Sequence, residues 1–396
     1  MKTVLYIGNF SFPLGNAAGK RVYANGKLMR KLGYRVLYVG TDNEMQNNSK
    51  LKDTKREYDG FEYFNFAYPR SKYDWINYNS FYNNLIELIN DMNLKLDLVI
   101  YYGSPTLSFF DRKLIKFCKI NRIKIVSDCV DWLTTKTNNP IFNLIKGIDN
   151  TYQKSYLNKQ VDGLIVISRY LENYYKKAGL KTVIIPPLSP DKFENMSVSN
   201  RYKKIVYAGL PFRKGQPISN LDVLKDRIDK MIELMAKAKE KGATFIFDIY
   251  GFTREEYLTV IPSQKTFVDL LENNIVFHGM QTNNKIIEAI IKADFTLLIR
   301  DVNRDTSAGF PTKVSESISC GTPVITTKTS DLEDYIKDNV NSFFLEPDVE
   351  RALPQLIKIL SLNKSAIKQL KINCKDSEVF FWEKHTEQFS RFIDSI

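Results

Sequence analysis

Short runs of β-branched and aliphatic residues recur along this chain. Between them lie stretches where apolar positions return every three or four residues. In the first half the runs are Thr3–Gly8, Arg35–Gly40, Asp97–Tyr101, Ile123–Ser127 and Gly163–Ile167, which read as buried strands. The segments Lys20–Leu32 and Phe109–Ile120 read as amphipathic helices between them. Three prolines within Pro186–Pro190 interrupt the alternation and suggest a linker. A second set follows, with strands expected at Lys204–Gly209, Thr244–Tyr250, Ile275–His278, Asp294–Ile299, Pro323–Thr326 and Ser342–Leu345. Helices are expected at Asn220–Lys241 and Asn284–Ala293. Strand–helix alternation implies βαβ units and parallel sheets. The chain is therefore α/β, with two Rossmann-like doubly wound domains, 1–186 and 187–376. The aromatic tail Ser377–Ile396 should be helical and cross back onto the first domain.

Composition changes this picture little, but charge does. The 396 residues are 43% hydrophobic and lack a low-complexity tract, which argues against disorder. No run of about 18 apolar residues is present, so no membrane span is expected, and the N-terminal apolar run is too short for a signal peptide. Four scattered cysteines make a disulfide framework or zinc site improbable and suit a cytoplasmic location. Residues 1–186 hold 28 Lys/Arg against 16 Asp/Glu, a net of +12; residues 187–396 hold 29 of each. A basic first half suits an anionic partner, although lysine-rich solvation explains charge alone equally well. Aromatics interleaved with Arg70 and Lys72 in Tyr63–Tyr82 suit a sugar-stacking, membrane-interface or single-stranded nucleic-acid surface, or equally a buried core. Asp111–Arg122 reads as a basic amphipathic helix, apolar face inward.

The candidate chemistry lies mainly in the second half. In Ala308–Thr326 a Gly/Pro turn runs into a helix and then a short strand. Such a turn aims backbone N–H groups, and the helix dipole behind them, at an anion. Glu316, about one turn inside, is placed to hold vicinal hydroxyls. Phosphate at the turn and diol at the glutamate would hold a nucleotide. Arg213 and Lys214 follow a strand and a glycine turn at the sheet's C-terminal edge, where two cations can clamp a diphosphate. An exposed turn with two solvated charges is the plain alternative.

Several short motifs occur in one order: Gly209-Leu-Pro-Phe-Arg213-Lys214-Gly215, Asp248-Ile-Tyr-Gly251, His278-Gly279, and Phe310-Pro-Thr-Lys-Val-Ser-Glu316 with Gly321-Thr-Pro-Val-Ile325. Together they resemble the C-terminal half of a GT-B retaining glycosyltransferase of family 4 (the glycosyltransferase group 1 type). Phe12-Pro-Leu-Gly15-Asn-Ala-Ala-Gly19, Gly33-Tyr-Arg-Val and Val161–Ser168 resemble the N-terminal half. The resemblance implies two domains facing a cleft, and a nucleotide-sugar donor, UDP- or GDP-linked, in the second. It implies a metal-independent, hexosyltransferase-like reaction with no cofactor. Gly15, Gly19, Gly209, Gly251, Phe310, Pro311, Thr312, Lys313 and Glu316 would line the donor site, with Arg213 and Lys214 on the diphosphate.

Two departures stand out. Ala308 occupies the position eight residues before Glu316 where the family carries an acid; Asp301 or Asp305 is the substitute candidate. In Asp128-Cys-Val-Asp131, Val130 replaces the usual basic residue, leaving Asp128 or Asp131 to orient an acceptor hydroxyl, or to cap a nearby helix. The expected acceptor is a saccharide or a polyprenyl-diphosphate-linked saccharide, in cell-envelope polysaccharide synthesis. With it goes a peripheral site at the inner membrane face, on an anionic surface met by the basic half. Nucleic acid is not expected, since no recognised motif accompanies the charge. A nucleotide-sugar epimerase and a non-catalytic nucleotide-sugar-binding scaffold remain the alternatives.

Overall fold

A computed structural model describes residues 1–45, 50–69, 80–103, 108–132, 140–193 and 200–396. Their contacts divide the chain into two compact units. The first comprises Met1–Pro190, Ala308–Phe310 and Phe381–Ile396; the second comprises Asp191–Ser307 and Pro311–Phe380.

The first unit runs β1 (Thr3–Gly8), α1 (Ala17–Lys31), β2 (Arg35–Asp42), β3 (Arg56–Tyr58), β4 (Phe61–Ala67), α2 (Ser80–Asp91), β5 (Leu98–Tyr102), α3 (Ser108–Ile120), β6 (Lys124–Cys129), α4 (Pro140–Ser155), β7 (Gly163–Val166), α5 (Arg169–Lys176) and β8 (Thr182–Ile184). Its described strands lie in the order β3-β4-β2-β1-β5-β6-β7-β8, all parallel except β3, which runs antiparallel to β4. The continuous apolar sequence of β1 matches its burial, since a parallel strand is covered on both faces. The order reverses beside β1, which pairs with both β2 and β5.

Several boundaries differ from those expected. Helix α1 begins at Ala17 rather than Lys20, because the Asn16 side chain accepts a hydrogen bond from Gly19 N at 2.7 Å and caps it. The proline-rich stretch is not a solvated linker throughout: Thr182–Ile184 forms edge strand β8, and Ile185 and Leu188 are buried. In the aromatic segment, Tyr63, Phe64 and Phe66 are buried on β4; residues 70–79, including Arg70 and Lys72, lie outside the described residues.

The second unit continues with β9 (Lys203–Ala208), α6 (Ile228–Glu240), β10 (Phe245–Tyr250), α7 (Arg254–Val260), α8 (Lys265–Leu270), β11 (Ile275–Phe277), α9 (Asn283–Lys292), β12 (Phe295–Leu298), α10 (Arg304–Ala308), α11 (Thr312–Ser319), β13 (Val324–Thr327), α12 (Leu332–Tyr335), β14 (Phe343–Leu345), α13 (Val349–Leu360) and α14 (Lys364–Ser377). Its described strands form a fully parallel sheet, β11-β10-β9-β12-β13-β14, whose order reverses between β9 and β12. Helix α6 starts at Ile228, not Asn220: Asn220 instead accepts from Asp222 N and opens a separate 3-10 turn.

The tail is not one continuous helix. Glu378 takes a left-handed conformation (φ 47°) and ends α14; a 3-10 turn at Trp382–His385 then leads into α15 (Thr386–Ser395). Phe389 and Phe392 of α15 are buried in the first unit's core with Ile165 and Val183. A side chain at Gly163 would meet the Phe392 ring at 2.7 Å, so the glycine makes room for that ring. Among the described residues no helix is long and apolar enough to cross a membrane. All four cysteines are buried and reduced.

Candidate functional site

In an open parallel sheet, ligands bind outside the carboxyl ends of the strands where the order reverses. In the second unit that point lies between β9 and β12. Three glycines line the carboxyl ends of β9, β10 and β11, to one side of that point, by close backbone approach. Gly209 N donates to Tyr250 O at 2.9 Å, and Gly251 N donates to Gly279 O at 2.8 Å. Gly251 has φ 121°, and a Cβ there would sit 2.2 Å from Gly209 O, so no other residue fits. A Cβ on Gly209 would meet Lys313 Cε at 2.4 Å; this glycine lets the lysine lie across the end of β9.

Lys313 is anchored there by Asp226. The Asp226 carboxylate accepts Lys313 Nζ at 2.8 Å, Arg300 Nε at 2.7 Å and the Tyr207 hydroxyl at 3.0 Å. Lys313 Nζ also lies over the Tyr207 ring, 5.7 Å from its centroid. Burial alone would raise the Asp226 pKa, but Lys313 and Arg300 outweigh it and hold the carboxyl well below its ordinary range. Burial first, then Asp226, pushes the Tyr207 hydroxyl well up, so it stays protonated and donates. Arg300 follows β12 and is 6% exposed, yet its buried Nη1 has no hydrogen-bond partner among the described residues. Sequence reasoning missed both Arg300 and Asp226. Their only signal was charge at the edge of a predicted strand and inside a predicted helix.

Helix α11 starts at this edge. Pro311 is its N-cap and makes no side-chain cap hydrogen bond; the first-turn amides of a helix lack intrahelical partners, which suits an anion. Glu316 lies one turn inside and is partly exposed. Phe310 is buried and belongs by its contacts to the first unit. Ala308 is also buried.

Arg213 and Lys214 lie on an exposed turn after β9, and Lys214 Nζ pairs with Glu256 at 2.6 Å. Glu256 is itself half of a capping box with Thr253 at the start of α7. Asp301 pairs with both Arg227 and Lys230. His278 stacks on Tyr250 (centroids 4.3 Å, 8° between planes), and its Nε2 is 2.6 Å from Asp248 Oδ1. That stack builds a flat wall beside Gly251, against which a base could lie.

In the first unit, Gly15 and Gly19 fold the segment after β1 tightly. A Cβ on Gly19 would lie 2.1 Å from Ser11 O, and one on Gly15 would lie 2.7 Å from Ser11 Cβ. Gly19 sits in the first turn of α1 rather than in the loop. Asp128 also differs from expectation: β6 extends to Cys129, so Asp128 is inside the strand and fully buried. It accepts Arg21 Nη2 at 2.8 Å and the Tyr6 hydroxyl at 2.5 Å, while Arg21 Nη1 reaches Ile185 O at 2.8 Å. Helix α1, β6 and the segment after β8 are thereby tied together. Asp131 is partly exposed, and its Oδ1 accepts Trp132 N at 2.8 Å.

Removing one partner of such a buried pair should be severe. Arg21→Met is expected to cost ~3–5 kcal/mol, while the double change Arg21→Met/Asp128→Leu costs clearly less, because no charge is then stranded. Urea denaturation midpoints of the three proteins check this.

Comparison with known proteins fits this geometry. Residues 222–376 match the family described as glycosyl transferases group 1. No curated protein matches the chain in sequence. Among solved structures, a sucrose-phosphate synthase from Thermosynechococcus elongatus aligns with a TM-score of 0.69 at 12% identity, covering 100% of this chain and 98% of that one. The catalytic domain of starch synthase IV from Arabidopsis thaliana, bound to ADP and acarbose, aligns at 0.67 and 11% identity, covering 100% and 99%. HepE of Anabaena, in complex with UDP, aligns at 0.62 and 14% identity, covering 100% of each chain. The fold, two parallel-sheet Rossmann-like units, is that of GT-B glycosyltransferase structures, and the stretch 222–376 that frames the Asp226–Lys313–Arg300 cluster is similar to glycosyl transferases group 1.

Proposed function

We propose that the protein is a glycosyltransferase whose second unit binds a nucleotide-sugar at the carboxyl edge between β9 and β12. The observation that carries this reading is the cluster at the start of α11. One buried carboxylate, Asp226, holds two cations beside a helix N-terminus, and a glutamate lies one turn inside. A diphosphate there meets Lys313 and the α11 amides, while Arg300, whose Nη1 is buried, adds its positive charge without touching it. Glu316 takes the ribose hydroxyls, and Tyr250–His278 flanks the base. Arg213 and Lys214 close on the diphosphate from the turn after β9, with Lys214 exchanging Glu256 for phosphate. The sequence match over 222–376 and complexes of similar folds with UDP and ADP support a nucleoside diphosphate at this edge.

The reaction that suits this site is transfer with retention, independent of metal. The bond from the anomeric carbon to the leaving phosphate oxygen breaks, and its electron pair goes to the diphosphate. The growing negative charge is met by cations already in place, so little reorganisation is needed. The acceptor hydroxyl bonds to the same face of the sugar, and its proton passes to a leaving-phosphate oxygen. Asp131, partly exposed in the first unit, is the better placed of the two acceptor-orienting candidates, since Asp128 is committed to Arg21. The donor is a UDP- or GDP-hexose. The acceptor is a saccharide, free or polyprenyl-diphosphate-linked, in envelope polysaccharide synthesis at the inner face of the membrane.

Incubation with a panel of UDP- and GDP-hexoses, followed by proton NMR, tests this. Release of an α-configured sugar from an α-linked donor, slowly to water and faster with a saccharide acceptor, is expected. Interconversion of the donor sugar with no loss of nucleotide would mean an epimerase, and tight donor binding without turnover would mean a scaffold.

A further inference from the structure

Over its described side chains, 143–155, helix α4 (Pro140–Ser155) turns polar residues inward and apolar residues outward. Among these the buried positions are Asn150, Gln153 and Lys154, each at most 7% exposed. The positions it turns to solvent are apolar: Leu144 at 64%, Ile145 at 56% and Ile148 at 63% exposed. The inward polar face is satisfied. Gln153 Nε2 donates to Asp111 Oδ2 at 3.0 Å, Ser108 Oγ bonds Asp149, and Lys154 Nζ lies 4.6 Å from the Trp132 ring centroid. The helix is thus fixed in this orientation by specific partners, and rotation to hide its apolar side would break them. Water is a poor solvent for the side that remains outside.

The neighbouring helix extends this face. Ser108 at the start of α3 is bonded to Asp149, one residue from Ile148, and the next residue, Phe109, is 67% exposed. From Phe109 the exposed side of α3 continues at helical spacing through Arg112, Lys113, Lys116 and Ile120, with no acidic residue among them. Apolar side chains next to a row of cations are what an in-plane amphipathic surface offers to lipid: the first enter the acyl boundary and the second meet headgroup phosphates. The net +12 of residues 1–186 adds a long-range attraction of the same sign. A second copy fits less well, because a two-fold contact pairs this face with itself and the face offers no acidic residue for Arg112, Lys113 and Lys116 to pair with.

We propose that α3 and α4 form a docking face for an anionic lipid surface, inserted through Leu144, Ile145, Ile148 and Phe109 and held by Arg112, Lys113 and Lys116. The first unit would then rest on a bilayer without spanning it. This deepens the proposed reading, by placing the acceptor-binding unit where a lipid-linked acceptor is found, but its physics is independent of the transfer chemistry.

The test is vesicle co-sedimentation of the full chain. It uses phosphatidylglycerol/phosphatidylcholine vesicles and phosphatidylcholine-only vesicles. Two variants accompany the wild type: Leu144→Asn/Ile145→Asn/Ile148→Asn, and Arg112→Glu/Lys113→Glu/Lys116→Glu. All changed positions are exposed, so circular dichroism and nucleoside-diphosphate binding should match the wild type. The wild type should partition to anionic vesicles only and weaken as salt rises from ~0.05 to ~0.5 M. Each variant should partition at least about tenfold less. Wild type that ignores anionic vesicles, or variants that partition like it, would overturn the proposal. A dimer in sedimentation velocity that the Asn variant alone abolishes would overturn it in favour of a second copy. Loss of lipid binding with donor binding intact separates this result from any failure of the donor-site reading.

Discussion

Replacing Asp226 with alanine should destabilise the protein by ~3–5 kcal/mol, the usual cost of stranding a buried charge. Arg300 is the charge stranded: it is 6% exposed, and Asp226 takes both its Nε and its Nη2. Lys313, 28% exposed, can recover water and adds less. The pH dependence follows from the sign of the shift. Asp226 is held below the ordinary carboxyl value of 3.8. Its contribution is therefore complete above that value and is lost only as pH falls below it, through the depressed folded pKa. Denaturant midpoints should show a constant gap between wild type and Asp226→Ala from about pH 5 upward, shrinking in stronger acid. Equal midpoints at neutral pH would mean that the carboxylate does not organise the site. The variant should also lose donor affinity, since Lys313 and Arg300 lose the group that aims them.

Glu316→Ala should weaken nucleoside-diphosphate binding by about 10- to 150-fold, because a hydrogen bond to a charged group contributes ~1.5–3 kcal/mol. The same variant should bind inorganic diphosphate as the wild type does. On the proposed reading the glutamate touches the ribose, while Lys313 and the α11 amides hold the anion. Calorimetric titration with both ligands separates the two roles. Loss of both affinities would show that Glu316 supports the helix start rather than the sugar. Fold stability should change little, since Glu316 is partly exposed.

The frame of both sheets was readable from the chain. Thr3–Gly8 carries a continuous apolar run because parallel strands are covered on both faces, and its ends fell where expected, while other strands differ from expectation at their ends. The Gly/Pro turn into α11 was equally plain, since proline is favoured where a helix starts and the helix does begin after Pro311. What stayed hidden depends on tertiary pairing. Asp226 lay inside a predicted helix because Asn220–Lys241 is helix-like throughout, and only the Asn220-capped turn sets the true start back to Ile228. Arg300 sat at a strand edge, where a lone cation normally faces water; only the sheet order brings it beside Tyr207 and Lys313. Asp128 read as a loop residue because Arg21, its counter-ion, is 107 positions away. Strand β8 was masked by the prolines that follow it, although its register with β7 needs no amide from them. Periodicity also gives the faces of a helix without saying which one turns inward. Helix α4 is the case in point: its polar side is held by Asp111, Ser108 and Trp132.

The measurement that bears most directly on the account is wild-type binding of UDP, GDP, ADP and CMP by calorimetry, with thermal shift alongside. One nucleotide class should bind at one site per chain, weaken with salt, and at ~100 times its Kd add ~2.7 kcal/mol of stability. Binding of none of the four would contradict the claim that the edge between β9 and β12 is built for a nucleotide-sugar.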